Sequence, residues 1–182
     1  MKTYYFVRHC QANGQSKDAT LTQKGNVQSH TLAQFFSDIH LQQIISSPYK
    51  RTIQSIEPLA HMKQLTVKID DSLSERVLSN KSLDDWVEKL KLSFTDLNFK
   101  CEGGESSQEA MERIVEILHE QIHLEADQTL FVTHGNLMSL LLKHVDPNIG
   151  FNEWKNLSQP DVYVLKYVRL RQMKIERIWN DI

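Results

Sequence analysis

The feature that most constrains the fold is a short apolar run that ends on a cation and an imidazole. Residues Tyr4–Val7 are apolar or aromatic, and Arg8 and His9 follow them directly. A run of this kind predicts a buried strand. Because open α/β sheets bind ligands in the crevice at the carboxyl ends of their strands, we expect both side chains to face a ligand site. A second buried strand, over 129–132, runs into Thr133-His134-Gly135 in the same way.

Strands and helices alternate along the chain, as the spacing of apolar residues and the capping signals predict. Thr22 can cap the first helix. Ser47 as N-cap with Pro48 as first helical residue indicates the start of the second. Ser106 and Glu109 fit a capping box before a later helix. Predicted strands cover 4–7, 44–45, 65–69, 129–132, 162–168 and 173–179. Predicted helices cover about 23–38, 48–61, 83–92, 107–123 and 137–142.

This order predicts a layered α/β domain whose neighbouring strands are parallel. The chain of 182 residues is long enough for one domain with a sizeable core, and it shows no repeat or linker. We therefore interpret 1–182 as a single domain. The periodicity weakens between about 70 and 104. Long insertions of this kind are commonly functional, so we expect a lid or a wall of the substrate site there.

Composition excludes several classes of protein. The net charge of -2 at pH 7 argues against a nucleic-acid binder, which would carry a basic stripe. No stretch approaches the roughly 20 apolar residues of a membrane span, and the N-terminus lacks the apolar core of a signal peptide. Cys10 and Cys101 are the only cysteines, too few for a disulfide framework or a structural zinc site. We expect a cytoplasmic protein with reduced thiols.

Four separated blocks carry the chemistry-bearing residues. They are Arg8-His9, Ser46-Ser47-Pro48-Tyr49-Lys50-Arg51-Thr52-Ile53-Gln54, Leu73-Ser74-Glu75-Arg76 and Thr133-His134-Gly135. In type and order they resemble the signatures of the histidine phosphatase superfamily, the phosphoglycerate-mutase-like proteins, and Gly103–Ser106 with Arg113 is a further family-like stretch. The resemblance implies a three-layer α/β/α sandwich with a mostly parallel central sheet.

By this resemblance, His9 is the phosphorylated nucleophile, Arg8, Arg51 and His134 form the phosphate pocket, and Glu75 is the proton donor. The residue types suit these roles. Imidazole attacks only when neutral, and nearby guanidiniums favour the neutral ring. Guanidiniums stay charged and donate bidentately to tetrahedral anions. A bound phosphate dianion favours a protonated carboxyl beside it. No metal or cofactor is implied, because the arginines and the second histidine supply the positive charge.

The residues alone leave simpler interpretations open. Arg51 could be a solvated cation at a helix start, and Glu75 could pair with its neighbour on the surface. Two positions also depart from the family pattern: Cys10 stands where Gly is usual, and Gln11 stands where Glu is common. If Arg8 lowers the pKa of the Cys10 thiol, activity should be sensitive to oxidation.

The implied function is a metal-independent phosphomonoester hydrolase that acts on a small phosphorylated metabolite through a phosphohistidine. Two alternatives stay open: a phosphoglycerate-type mutase, and a phospho-ligand binding module without turnover. The family's mutases are typically longer than this chain, which favours hydrolysis. Substrate contacts are expected from 76–104. Candidate substrate-binding residues are Asn13, Gln15, Arg76, Lys81 and Trp86. The sequence predicts neither the natural substrate nor the oligomeric state.

Overall fold

The computed structural model describes residues 2–169 and 172–180. Within this part of the chain six strands form one sheet. They are β1 Thr3–Arg8, β2 Gln43–Ser46, β3 Val67–Ile69, β4 Gln128–Thr133, β5 Asp161–Arg169 and β6 Gln172–Arg177. Their spatial order is β3-β2-β4-β1-β5-β6.

Four neighbouring strands of the sheet are parallel, and the direction reverses at β5 and again at β6. β1 pairs in parallel with β4, β4 with β2, and β2 with β3. β5 runs antiparallel to β1, and β6 runs antiparallel to β5. The predicted mostly parallel α/β sheet is confirmed, with an antiparallel pair added at one side. The carboxyl ends of β1, β2 and β4 consequently meet at the same edge, where open α/β sheets bind ligands.

Helices cover both faces of the sheet. In the described part of the chain they are α1 Gln23–Phe35, α2 Lys50–Lys63, α3 Trp86–Leu92, α4 Ser107–Ile122, α5 Gly135–Val145 and α6 Phe151–Asn156. None of these helices is long and apolar enough to cross a membrane. A short 3-10 helix, Asp71–Leu73, follows β3.

Alternate residues of β1 enter two separate apolar cores. Tyr4 and Phe6 pack with residues of α4 and α5, whereas Tyr5 and Val7 pack with residues of α1 and α2. The alternation arises because successive side chains of a strand point to opposite faces of the sheet. The predicted three-layer α/β/α arrangement is therefore confirmed.

The helix α2 begins later than the Ser47-Pro48 pair predicts. Its N-cap is Tyr49 and its first helical residue is Lys50. The N–H of Ser47 donates to the Val132 carbonyl at 3.0 Å and prolongs the β2–β4 pairing by one residue. The hydroxyl of Ser47 lies 2.8 Å from Nε2 of His134. The N–H of Ser47 is thus bonded to β4 and its hydroxyl to His134. Ser47 does not cap α2, and the N-cap prediction was wrong.

The other capping predictions are confirmed, while several boundaries move. The hydroxyl of Thr22 accepts from Gly25 N–H at 2.9 Å, and Ser106 forms the predicted capping box with Glu109. The helix predicted over 83–92 begins at Trp86. The helix α6 lies where the sequence predicted only a loop.

The ends of the insertion are joined through Arg113 on α4. Its Nε and Nη2 donate to the Glu105 carboxylate at 2.7 and 2.9 Å, and its Nη1 donates to the Ser72 carbonyl at 2.5 Å. The N–H of Glu105 donates in turn to the Val77 carbonyl at 2.7 Å. One guanidinium thus fastens the entry and the exit of residues 70–104 to the same helix.

Candidate active site

Three parallel strands bring the candidate residues to one edge of the sheet. His9 follows β1, Arg51 lies in the first turn of α2 after β2, and His134 follows β4. The pairing of β1 with β4 continues past the strand ends, since the N–H of His9 donates to the Thr133 carbonyl at 3.0 Å. Residues far apart in sequence therefore meet because the parallel register fixes where each strand ends.

The two ring nitrogens of His9 have different partners. Nδ1 lies 2.7 Å from the Cys10 carbonyl oxygen, which can only accept, so Nδ1 carries the proton. Nε2 lies 3.1 Å from Nε of Arg51, which can only donate, so Nε2 is unprotonated. Burial lowers the pKa of His9 to about 3; the Arg51 and Arg8 guanidiniums add to this effect, and the hydrogen bond to Cys10 opposes it. His9 is a neutral imidazole whose lone pair faces a cation.

Arg51 connects the two histidines. Its Nη2 donates to Nδ1 of His134 at 3.1 Å, and its Nη1 donates to the carbonyls of Gln15 and Ser16 at 3.1 and 2.8 Å. The Arg51 residue is only 1% exposed. The alternative of a solvated cation at a helix start is therefore wrong.

His134 is likewise neutral and fixed in one tautomer. Its Nδ1 accepts from Arg51, so its Nε2 carries the proton and donates to the Ser47 hydroxyl at 2.8 Å. Burial, with His9 and Arg51 close by, lowers the pKa of His134 well below its usual range. The ring of Tyr49 packs edge-on against it, with ring centroids 4.7 Å apart.

Arg8 is anchored by the segment that follows α6. Its Nη1 donates to the carbonyls of Leu157 and Ser158 at 2.7 and 3.3 Å, whereas its buried Nε has no partner. A Cβ at Gly135 would lie 3.0 Å from this Nε, so glycine after His134 makes room for the guanidinium. Burial lowers the pKa of Arg8, and the nearby Glu75 and Asp161 carboxylates oppose the shift.

Glu75 lies against the N-terminus of α5. Its carboxylate accepts from the N–H groups of Asn136 and Leu137 at 3.1 and 3.0 Å, and from the N–H of Arg76 at 2.9 Å. The Arg76 guanidinium points elsewhere, donating to the Glu105 carbonyl and to the Ser93 hydroxyl. A surface ion pair between Glu75 and its neighbour is therefore not what the structure contains. The carboxylate instead occupies a helix N-terminus, where negative charge is favoured.

A cavity of about 800 Å³ opens in front of these residues. Arg8, His9 and Glu75 line it, as do the candidates Gln15, Arg76, Lys81 and Trp86. The candidate Asn13 does not line it; the Asn13 amide donates to the Leu21 carbonyl and the Thr20 hydroxyl within its own loop. Lining residues that the sequence analysis missed are Tyr49, Asn136, Trp154 and Gln159.

The missed residues carry different sequence signals. Asn136 directly follows His134-Gly135, so its position beside the second histidine could have identified it. Trp154 lies in α6, a six-residue helix whose sequence shows neither a side-chain N-cap nor a long apolar periodicity.

Cys10 lies beside the nucleophile and is fully buried. Burial raises the pKa of its thiol to about 12, and the N–H of Cys10 donates to the Ser55 hydroxyl at 2.8 Å. The condition set for an oxidation-sensitive thiol, a pKa lowered by Arg8, is not met, because burial raises the pKa more than the hydrogen bonds from Ser55 and the backbone lower it.

Within the described residues, no three His, Cys, Asp or Glu side chains converge in the manner of metal ligands. Positive charge at this edge of the sheet comes from Arg8 and Arg51. Arg8, His9 and Glu75 therefore line the cavity, whereas Arg51 and His134 do not line it but contact His9, Arg51 through a hydrogen bond and His134 ring to ring. This set can bind a tetrahedral anion and present a neutral nitrogen nucleophile to it.

Known proteins resemble this chain in sequence and in fold. A Salmonella choleraesuis protein named probable phosphoglycerate mutase GpmB is 27% identical, over 98% of this chain and 85% of its own. A mycobacterial glucosyl-3-phosphoglycerate phosphatase, solved with inorganic phosphate, has a TM-score of 0.79 at 19% identity and covers 100% of this chain and 98% of its own. A putative alpha-ribazole-5'-P phosphatase from Escherichia coli has a TM-score of 0.74 at 15% identity, over 97% and 95%. The model of the histidine phosphatase superfamily (branch 1) matches residues 4–181, and the chain belongs to that superfamily.

Proposed function

We propose that this protein is a metal-independent phosphomonoester hydrolase that works through a phosphohistidine at His9. The observation that carries the proposal is the unprotonated Nε2 of His9, 3.1 Å from a guanidinium that only donates. With Nδ1–H held on the Cys10 carbonyl, the lone pair needed for attack is available at neutral pH.

Arg51 supports the phosphate-binding role because its partners in the free protein are weak acceptors. Its Nε and Nη2 donate to the two imidazole nitrogens of His9 and His134. Phosphoryl oxygens are stronger, charged acceptors for the same donors. When a phosphate ester binds, its oxygens therefore accept from these donors and Nε2 of His9 is freed, while the guanidinium of Arg8, which lines the cavity, adds positive charge.

The reaction then proceeds in two balanced steps. Nε2 of His9 forms a bond to phosphorus as the bond from phosphorus to the ester oxygen breaks, and a protonated Glu75 gives its proton to the departing oxygen. The negative charge of the bound ester favours the protonated carboxyl and opposes the three N–H groups that favour the carboxylate in the free protein. In the second step, Glu75 as carboxylate takes a proton from water, which attacks phosphorus. The bond from nitrogen to phosphorus breaks, and inorganic phosphate leaves.

A phosphoglycerate-type mutase is the second candidate, and the name of the 27% identical relative favours it. A mutase would return the phosphoryl group from His9 to a second oxygen of the same acid instead of to water. The glucosyl-3-phosphoglycerate phosphatase with a TM-score of 0.79 supports hydrolysis on the same fold.

Phosphorus NMR separates the candidates. The protein is incubated with p-nitrophenyl phosphate and, separately, with 3-phosphoglycerate, each with and without EDTA. A hydrolase releases inorganic phosphate in both conditions, and EDTA leaves the rate unchanged. Conversion of 3-phosphoglycerate to 2-phosphoglycerate without release identifies a mutase. No product from either substrate supports a binding module, and inhibition by EDTA contradicts the metal-independent mechanism.

A further inference from the structure

Most of the cavity lies beyond the residues that would hold a phosphoryl group. Its volume of about 800 Å³ is within the range that receives ligands the size of a drug or a nucleotide. Besides Glu75, Arg76 and the polar Ser79, Lys81 and Ser82, the wall contributed by the insertion and by α6 consists of aliphatic and indole side chains. These residues are Val77, Leu78, Leu83, Trp86, Leu90 and Trp154.

Two indole rings belong to this wall. Trp86, at the start of α3, is 48% exposed even though it is a large apolar residue. Trp154, on α6, is half-buried, and the ring of Phe151 supports it at 5.3 Å between centroids. Indole side chains combine a broad apolar face with an N–H and pair well with other planar rings. A half-exposed indole at a cavity wall is a surface that a ligand ring could cover.

The position of Trp154 is tied to the phosphate end. The carbonyl of Leu157 accepts from Arg8 at 2.7 Å, and the N–H of Leu157 donates to the Trp154 carbonyl at 3.3 Å. One helical turn, about 5 Å along the axis, therefore separates the Trp154 backbone from the anchor of Arg8. A group that contacts the Trp154 indole therefore belongs to the alcohol half of a bound ester.

The same cavity contains buried polar atoms without partners. Asn136 is 7% exposed, and neither its amide oxygen nor its amide nitrogen forms a hydrogen bond. Arg76 is 6% exposed, and its Nη2 has no partner. Leaving such groups unpaired is costly. The atoms are closed off in the free protein, so a ligand with donors and acceptors would pair them after a rotation of the two side chains.

We propose that the alcohol half of the natural substrate carries a planar heteroaromatic ring, as in a nucleoside 5′-phosphate. The ring packs on Trp86 and Trp154, and the polar groups of the alcohol meet Asn136 and Nη2 of Arg76. This inference rests on the proposed phosphatase function, because it assigns the phosphoryl group to the pocket of Arg8 and Arg51. A three-carbon phospho-acid would leave the indole wall uncovered.

Two measurements test the inference and keep it apart from the proposed function. The first is calorimetric binding of AMP, glucose 6-phosphate and glycerol 3-phosphate to the His9→Ala protein, which needs no turnover. The second is kcat/KM for the same three esters with the unmodified protein. All three are phosphate esters of primary alcohols. Differences in affinity or in kcat/KM among them therefore arise from the rest of the alcohol. Stacking on indole predicts that AMP binds about tenfold or more tightly than glycerol 3-phosphate.

Substitution of each tryptophan tests whether the preference for AMP arises at the two indole rings. Trp86→Ala and Trp154→Ala should each weaken AMP binding about three- to tenfold and leave glycerol 3-phosphate binding within about twofold. Leu124→Ala is the matched control, since Leu124 is equally exposed at 48% but does not line the cavity. It should change neither affinity.

Each other outcome has a definite meaning. Equal affinity for the three esters, or preference for glucose 6-phosphate, overturns the heteroaromatic assignment even if all are hydrolysed. Equal losses of AMP and glycerol 3-phosphate binding in the tryptophan variants do the same. Selective AMP binding that depends on both indoles, without hydrolysis of any ester, supports the ring site and refutes the proposed phosphatase function instead.

Discussion

The position of the His9 imidazole is supported by Ser55, which does not contact the ring itself. The hydroxyl of Ser55 accepts from the N–H of Cys10 at 2.8 Å and donates to the Arg51 carbonyl at 2.6 Å. One serine therefore links Cys10, the residue whose carbonyl fixes the Nδ1–H tautomer, to the helix that carries Arg51. Phosphoryl transfer depends mainly on the accurate positioning of the protein groups around phosphorus.

The carboxyl of Glu75 should matter most when the leaving group needs a proton. We expect Glu75→Gln to reduce kcat/KM for alkyl phosphates by about 100-fold or more, since that is the usual scale of general acid catalysis. p-Nitrophenolate leaves without help, so p-nitrophenyl phosphate should lose about tenfold at most. Steady-state rates for glycerol 3-phosphate and p-nitrophenyl phosphate give the comparison, and equal losses would count against the acid role.

The Cys10 thiol should resist alkylation in the folded protein. Its burial and its raised pKa, about 12, leave neither access nor thiolate at neutral pH. In a Cys101→Ser background, which removes the partly exposed cysteine, mass spectrometry after iodoacetamide should find no adduct until urea is added. Activity should persist through the treatment. Stoichiometric labelling of the native chain would show that Cys10 is more accessible than the structure indicates.

At the scale of elements, the fastening of residues 70–104 to α4 decides how firmly the cavity wall is held. Arg113→Lys keeps the charge but cannot donate through a planar fork to Glu105 and also reach Ser72. We expect a loss of about 1–2 kcal/mol in the free energy of unfolding, and faster cleavage within 77–104 by limited proteolysis.

Lys100→Ala supplies the matched control for that experiment. Lys100 pairs with Glu109 at 2.8 Å, but both side chains are half exposed, so the pair should contribute less than about 1 kcal/mol. If the two variants show the same stability and the same proteolysis, the Arg113 contacts do not hold the insertion.

The sequence predicted elements well where one local signal decides the structure. Strand β1, the Thr22 cap and the Ser106–Glu109 capping box depend on neighbours in the sequence, and each lies where it was expected. The start of α2 was misplaced because Ser47 bonds to β4 and His134, which are far along the chain.

In the candidate site too, residues marked by a local sequence pattern were predicted, and contacts between distant segments were not. Family blocks picked out Arg8, His9, Arg51 and His134, and the structure places them at one sheet edge. No local pattern could show that the Glu75 carboxylate lies on the first turn of α5. That contact depends on the path of the insertion, not on adjacent residues.

At the scale of the whole molecule, burying neutral histidines makes stability depend on pH. The pKa of His9 is about 3 in the folded protein against 6.5 for an ordinary histidine. Between these values the unfolded chain binds a proton that the folded chain does not, so stability falls as pH decreases below about 6.5. One such group contributes a slope of up to about 1.4 kcal/mol per pH unit.

His9→Asn should therefore reduce the slope of unfolding free energy against pH by about that amount between pH 4.5 and 6. Urea unfolding at several pH values measures both slopes. Above pH 7.5 the two proteins should show parallel curves, which provides the internal control. Equal slopes in the acidic range would mean that His9 is not held neutral by the fold.

The most direct test of the account is the identity of the residue that carries phosphate during turnover. The protein is mixed with p-nitrophenyl phosphate, quenched in base within one turnover, digested and analysed by mass spectrometry. We expect an acid-labile, base-stable phosphate on His9, absent from the His9→Ala protein, which should also release no p-nitrophenol. Phosphate on any other residue, or p-nitrophenol release by His9→Ala at the unmodified rate, would contradict it.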